Sequence, residues 1–504
     1  MNFEDYIDKV RGCWVGKCLA GAIGMPFEGV PYPVAMDEEN IYISEVPNDD
    51  LELQLVWLDA LKQHGLKLNS TILADYWTNK IKHGCDEYSI ALHNLKHGIM
   101  PPASGKVNNF FADGMGATIR SEIWALCFPE RPDAAAYFAQ QDAEVDHWGD
   151  GVRGEIFMAM AEAHACVHSD IEKALRFSWD ALDNECRLYK TLGLVFADYD
   201  SGITATESTK RLMLNEQRTS NFTDCVMNLA FCVHSLLYGE GDFARTIMSV
   251  IAFGRDTDCT AATCGAFLGI AKGMAAIPDK WQHLVDDKLI LSDFVSCIPG
   301  VPLTIDTLVE QTVTIHESLS AKLPNKEYPA YTPVACDDVI NPACRSKWLI
   351  LNDANCNIQA VKNEISATGK CPAALCHEIV EFDTWFMDLS RFAKNACNLH
   401  LISILEVDNH DVPEDEITIS ATADVGMRLW MDGKKLINHH SRQRMLPSFH
   451  RAEGGAAFLL PLKPGSRQLF HMELFNCLPP LSACIMFGNM QNDHLDGFKF
   501  DISC

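Results

Sequence analysis

Positive charge is scarce in this chain. Its 504 residues carry 41 Lys and Arg against 68 Asp and Glu, a net charge of −27 and a sequence pI near 5.0. So acidic a surface repels phosphate backbones, which excludes broad nucleic-acid binding but not one small phosphate-bearing ligand in a local pocket. Long hydrophobic runs are also missing. The apolar stretch from Cys13 to Pro26 is broken by Lys17 and is too short to span a bilayer, so no membrane partner is expected. The opening M-N-F-E-D-Y-I-D-K-V is acidic where an export signal is basic, and a cytoplasmic location is the expectation. The 20 cysteines include no paired C-x-x-C set. They are expected to be reduced, buried thiols, and their spacing gives a zinc site no support. Finally, Val/Ile/Thr alternation is rare before about Ser320, which argues against strands there.

Helical patterns fill that first region. A helix is expected from about Phe3 to Leu19, with Ile7, Val10, Trp14 and Cys18 on one face and Pro26 as its stop. Gly21 and Gly24 allow close approach of a helix or a ligand. Further helical periods run through Ile72 to His83, Glu87 to His97, Gly154 to Val167, Cys186 to Tyr199, Thr223 to Tyr238 and Phe243 to Phe253. Residues 1–322 therefore read as an all-α domain. Pro324, Pro329, Pro333 and Pro342 mark 323–345 as a linker. From 346 to 504 the pattern turns to strands, with Asp432-Gly433 as a hairpin turn inside Glu416 to Leu436. The expected architecture is a mainly α N-terminal domain followed by a smaller β-sandwich. The element D-V-G-M-R-L-W-M-D-G-K resembles the central hairpin of carbohydrate-binding PA14-like sandwiches, with Trp430 either a stacking platform or core.

Two acidic turns stand out. Gly254 to Cys259 reads G-R-D-T-D-C and opens a small-residue helix, so Asp256 and Asp258 have a fixed backbone and a dry floor. Asn48, Asp49 and Asp50 open a second helix, with Leu51, Leu55, Leu58 and Leu61 at helical spacing. Capping a helix needs one carboxylate, not two. Two such starts brought face to face would gather four carboxylates, a set that suits hard divalent cations. Glu28, just past Pro26, is either a plain loop carboxylate or a further member. Two glycine loops add candidates. In Phe110 to Arg120, Asp113 is a cap, Gly114 and Gly116 free the backbone, and Arg120 suits a phosphate. In Asp146 to Glu155, His147 and Trp148 sit among three glycines; Trp148 can stack on a ring, though core is the commoner fate of a Trp.

In this order the motifs resemble the ADP-ribosylglycohydrolase family over roughly residues 10 to 320. G-A-I-G-M-P-F-E, ending at Glu28, is similar to the family's G-D-A-x-G-x-P-x-E. N-D-D-L at Asn48 to Leu51 is similar to its T-D-D-T. D-G-M-G-A-T-I-R at Asp113 to Arg120 is similar to its G-N-G-x-x-M-R loop, and G-R-D-T-D-C-T-A at Gly254 to Ala261 to its G-G-D-T-D-T-I-A. The resemblance implies an all-α hydrolase with two Mg²⁺ or Mn²⁺ ions. Asn48, Asp49, Asp50, Asp256 and Asp258 would be metal ligands, and Glu28 or Asp50 the proton acceptor. Asp113, Gly114, Gly116, Arg120, His147 and Trp148 would line the ADP-ribosyl site. The implied substrate is a small-molecule or protein-linked ADP-ribosyl group, and an oligomer is open. This chain departs from the pattern with Gly21 for an Asp, Asn48 and Cys259 for hydroxyl ligands, and Arg255 for a glycine. Two other readings stay open: a glycosidase for a different nucleoside or small glycoside, and a non-catalytic binding or structural relative.

Overall fold

A computed structural model describes residues 1–36, 41–43, 47, 49–215, 221–295, 298–353, 356–393, 397–408, 417–440, 444–451 and 457–504. The chain forms two compact units. The first comprises 1–82, 100–106 and 111–336; the second comprises 83–99, 107–110 and 337–504. The N-terminal region is helical and the C-terminal region is built of antiparallel sheets, as the sequence pattern indicates.

The helical unit is organised by two helices rich in small residues, Phe3–Gly24 and Thr257–Lys272. Their glycines face one another. A Cβ on Gly12 would lie 2.6 Å from the Gly273 carbonyl carbon; one on Gly16 would overlap the Gly265 carbonyl, and one on Gly24 that of Thr257. The first helix continues from Leu19 to Gly24, just short of the Pro26 stop, with Gly24 packed on Thr257. A 3-10 turn, Met25–Phe27, then carries the proline. Among the described residues Thr257–Ala276 is the one helical stretch long and apolar enough to cross a membrane, and it is mostly buried inside this unit. The acidic helix Asp49–His64 also has a buried apolar face, including Leu51, Leu55, Leu58 and Leu61.

In the second unit one sheet runs Ile379–Phe382, Ser346–Asn352, Cys397–Val407, Arg467–Cys477, Met427–Met431 and Lys434–His439, and Phe498–Asp501 also pairs with Cys397–Val407. The other runs Phe386–Asp388, Ser482–Gly488, Ile417–Ala423 and Ala457–Leu460. Alternation divides Cys397–Val407 between two cores. Leu399, Leu401 and Leu405 join Ile417, Ile419 and Ile485 of the second sheet. Ile402 and Ile404 point the other way, onto Val361 and Ile365 of the helix Ile358–Thr368. The Asp432-Gly433 turn has φ of 47° and 79°, the left-handed pair a tight hairpin needs, with Met431 opposite Lys434.

This unit also holds the helix Asp86–Lys96, anchored by polar contacts that no hydrophobic period encodes. Ser89 Oγ accepts from His494 N at 2.9 Å, and Arg451 Nε lies 3.0 Å from Asp86 Oδ2. The expectation of reduced thiols needs one correction. Cys376 and Cys504 are disulfide-bonded, with Cα atoms 5.7 Å apart. The chain end is laid beside its partner by Cys371 N donating to Ser503 O and Lys370 Nζ to Cys504 O, at 2.8 and 2.9 Å.

Candidate active site

The glycine contacts between the first helix and the Thr257 helix fix the acidic turn. Thr257 Oγ1 donates to Gly24 O at 2.9 Å, Gly29 N to Arg255 O at 2.7 Å, and Arg255 N to Val30 O at 2.8 Å. Glu28 is thus held in a loop bonded to the Arg255 turn, and it is solvent-exposed. Arg255 has φ of +72°, an uncommon conformation for a residue with a Cβ. Asp256 occupies the N-cap position, but its side chain makes no cap hydrogen bond, so the capping role does not account for it.

Asp256 and Asp258 are buried and Cys259 is half-buried. One carboxylate oxygen from each Asp and the Cys259 sulfur all lie within 4.8 Å of one another. The second acidic turn meets them here. Asp50, fully buried in the first turn of its helix, accepts from Cys259 Sγ at 3.5 Å through Oδ1. This contact joins residues 209 positions apart. Asn48 lies outside the described residues, and so does the side chain of Asp49.

A buried network beneath the acidic turns was missed by sequence reasoning. Lys17 Nζ donates to Ile119 O at 2.7 Å and Glu122 Oε1 at 2.9 Å. Gln54, one turn after Asp50, donates to Glu122 Oε2 at 2.8 Å and accepts from Ile123 N at 2.9 Å. Desolvation alone would push the Lys17 pKa down, but the charges of Glu122 and Asp50 outweigh it and the net shift is upward. Glu122 and Asp50 thus favour the charged form of Lys17 despite its burial. Its signal was present: a lone Lys interrupting an apolar helix that ends up fully buried.

The two glycine loops form one structure. Asp113 O accepts from Cys225 N at 2.8 Å, Ala117 N donates to His147 Nε2 at 3.2 Å, and Trp148 N donates to Ala112 O at 3.0 Å. Gly114 pairs with Asp224, which Arg187 grips with two bonds of 2.7 Å. Asp113 is not the cap of its own following turn. Its Oδ1 accepts from Asp150 N at 3.0 Å, at the start of the helix Asp150–His168. Desolvation, then Asp150 and Asp224, raise its pKa to about 6, although much of the residue's surface is open to solvent.

Arg120 has different partners from the phosphate that the sequence suggests. It is fully buried, with Nε 2.9 Å from Asp142 Oδ2, two bonds of 2.9 and 2.6 Å to Asp146, and a further bond to Gly116 O at 3.1 Å. His147 is likewise buried, its Nδ1 3.1 Å from Asp146 Oδ1. Both hold the loops in shape. Trp148 is half-buried with Lys106 Nζ 4.8 Å above its ring.

The ADP-ribosylglycohydrolase family profile matches residues 2–312, more than half of the chain. The chain belongs to this family. It is a glycosyl hydrolase, and the family is metal-dependent. Among sequence relatives is an uncharacterized protein from Archaeoglobus fulgidus, 27% identical over 315 residues, spanning 57% of this chain and 94% of that protein. Among solved structures, an ADP-ribosylglycohydrolase-related protein complex aligns with 63% of this chain and all of that chain, at 15% identity and a TM-score of 0.42. An anti-sigma factor domain-containing protein aligns with 34% of this chain at 12% identity and a TM-score of 0.19. The donor set fits a family metal: Asp256 and Asp258 offer hard oxygens within 4.8 Å of one another, and the Asp50 carboxylate reaches them through Cys259. The group also contains the Cys259 sulfur, a softer donor than the carboxylates.

Proposed function

We propose that this glycosyl hydrolase cleaves an N- or O-glycosidic bond at the ribose C1 of an ADP-ribosyl group. In this reading Asp50, Asp256 and Asp258, with Asn48 and Asp49, hold two divalent ions, Mg²⁺ or Mn²⁺. The observation that carries the reading is the 3.5 Å contact between Cys259 Sγ and Asp50 Oδ1, which puts two acidic turns in one place. Such ions, when bound, supply Lewis-acid attachment for vicinal hydroxyls and a more acidic water.

The chain's own part follows from charge and position. The carboxylates put negative charge beside C1, where positive charge develops as the bond breaks. Glu28 or Asp50 accepts the proton of the attacking water. Glu28 is in the exposed loop tied to Arg255, so it can approach a substrate from solvent. The backbone around Gly114 and Gly116 faces the diphosphate, and Trp148 offers a ring to a flat group. Arg120 and His147 keep that loop in place from beneath. The catalytic domain in this reading is 1–322, with 323–345 leading to the sheet-built remainder.

Turnover of ADP-ribosyl-arginine, ADP-ribosyl-serine and simple ribosides, with added Mg²⁺ or Mn²⁺ and after chelation, tests the reading. Activity on one ADP-ribosyl conjugate, abolished by chelation and by Asp256→Asn with the helical fold intact, is the expected result. Full activity of Asp256→Asn on that substrate would refute the assignment. One observation favours a second reading, a glycosidase for a different nucleoside or small glycoside. Arg255, in left-handed backbone beside Asp256, puts a long cationic side chain where the family has glycine. Cleavage of simple ribosides alone would favour it.

A further inference from the structure

The Cys259 sulfur lies 3.5 Å from Asp50 Oδ1 and within 4.8 Å of a carboxylate oxygen on both Asp256 and Asp258. Among the described residues of this group it is the one soft donor. Its position is imposed by the backbone. Thr260 N and Oγ1 both donate to Asp256 O, at 3.0 and 2.8 Å, and Thr257 Oγ1 bonds to Gly24 O. The turn carrying the sulfur is therefore held by hydrogen bonds of its own. Cys259 is half-buried, with its sulfur within 4.8 Å of both carboxylates.

Resting on the metal reading above, we propose that Cys259 makes this a mixed oxygen–sulfur site that favours thiophilic divalent ions, Zn²⁺, Co²⁺ and Cd²⁺, over Mg²⁺. Thiolate sulfur is a strong ligand for such ions and a poor one for Mg²⁺. Coordination releases the thiol proton to solvent, and the sulfur binds as thiolate. In the loaded site Cys259 and Asp50 would both hold the ion, and the hydrogen bond between them would be given up. Most such ions bind oxygen and nitrogen sites more tightly than Mg²⁺ in any case. The signature is therefore not their order of affinity but what removing the sulfur does to it.

The test uses the full-length chain and the metal ions alone. Wild type, Cys259→Ser and Asp256→Asn are titrated with Co²⁺ and followed by absorption, then with Cd²⁺ and Mg²⁺ by calorimetry. Serine keeps a hydroxyl donor for Asp50, so a purely structural hydrogen bond survives in that variant. Wild type is expected to show a near-ultraviolet sulfur-to-cobalt band that Cys259→Ser lacks. Cys259→Ser should lose about tenfold or more in Cd²⁺ affinity while its Mg²⁺ affinity stays level or rises. Asp256→Asn should weaken both ions. A band that persists in Cys259→Ser, or an unchanged Cd²⁺ affinity, overturns the role of Cys259 and leaves the proposed function standing. Unchanged binding of every ion by Asp256→Asn overturns the metal assignment itself, and this inference with it.

Discussion

In the sheet unit, Asp496 receives Lys96 Nζ at 2.8 Å on one oxygen, and His93 Nε2 at 2.8 Å and His97 Nε2 at 3.3 Å on the other. In the helical unit, Asp50 accepts from the Cys259 thiol, whose sulfur lies within 4.8 Å of a carboxylate oxygen on both Asp256 and Asp258. Both places gather three or more side chains of the kinds that bind metals, yet they are built to opposite ends. An amide relay settles the protons in the first. Asn94 Nδ2 donates to Val107 O, Asn341 Nδ2 to Asn94 Oδ1, and Ala343 N to Asn341 Oδ1, at 2.7, 3.1 and 3.1 Å. The amide that faces His93 Nδ1 at 3.2 Å is therefore a donor, and the His93 proton sits on Nε2, toward Asp496. His93 is a hydrogen-bond donor there and not a ligand. Burial would raise the Asp496 pKa, but bonds from His93 and Lys96 outweigh it and hold the carboxyl well below its ordinary range. That cluster supplies its own positive charge. The Asp50 cluster presents oxygen and sulfur, with the Lys17 ammonium already shared between Glu122 and Asp50, and in the proposed reading divalent ions balance the remaining carboxylates.

The comparison breaks first at activity. Asp50→Asn should lower turnover by more than about 100-fold, beyond what loss of an outer-sphere partner costs. Asp496→Asn should leave turnover within about twofold, since it only removes a hydrogen-bond acceptor outside the proposed chemistry. Equal losses in steady-state assays would erase the distinction. Stability comes next. Lys17→Met strands Glu122 as a buried, unpaired acid and should cost about 3–5 kcal/mol in urea unfolding; a change under about 1 kcal/mol would show that Glu122 simply takes up a proton.

Gly16→Ala should cost up to about 3 kcal/mol, because the new Cβ meets the Gly265 backbone rather than a side chain that can turn away. The same denaturation curves measure it, and a neutral result would mean that the two helices can separate slightly. The smallest effect is acid sensitivity of the sheet unit. The Asp496 pKa is depressed on folding, so its contribution is present above the unfolded value near 4 and is lost as pH falls below it. With a quarter of the side chain exposed, Asp496→Asn should remove about 1 kcal/mol at pH 7 and correspondingly less at pH 3. A penalty that stays constant with pH would point to lost packing instead.

What the sequence could reveal follows from how local each feature is. The G-R-D-T-D-C turn and the Asp432-Gly433 hairpin are written in adjacent residues, and both were legible. The change from helix to strand was legible because it alters the hydrophobic period. Arg120 was not, because a cation beside a glycine loop looks the same whether it meets a ligand phosphate or, as here, Asp142 and Asp146. The helix Asp86–Lys96 reads correctly as a helix, but its place with the sheets depends on single polar contacts such as Ser89 with His494, about 400 residues away. The Cys376–Cys504 pair spans 128 residues and no spacing rule predicts it. Pro26 was legible as the stop of the first helix, and Gly24 packs closely on Thr257 of a second helix, as a glycine at a close approach can.

The central claim is that the early and late acidic turns share divalent ions. Anomalous diffraction from crystals soaked in Mn²⁺ tests it most directly. Peaks are expected between Asp50 and the Asp256–Asp258 turn, and none at Asp496. Strong peaks at His93, His97 and Asp496 with none beside Asp50 would contradict it.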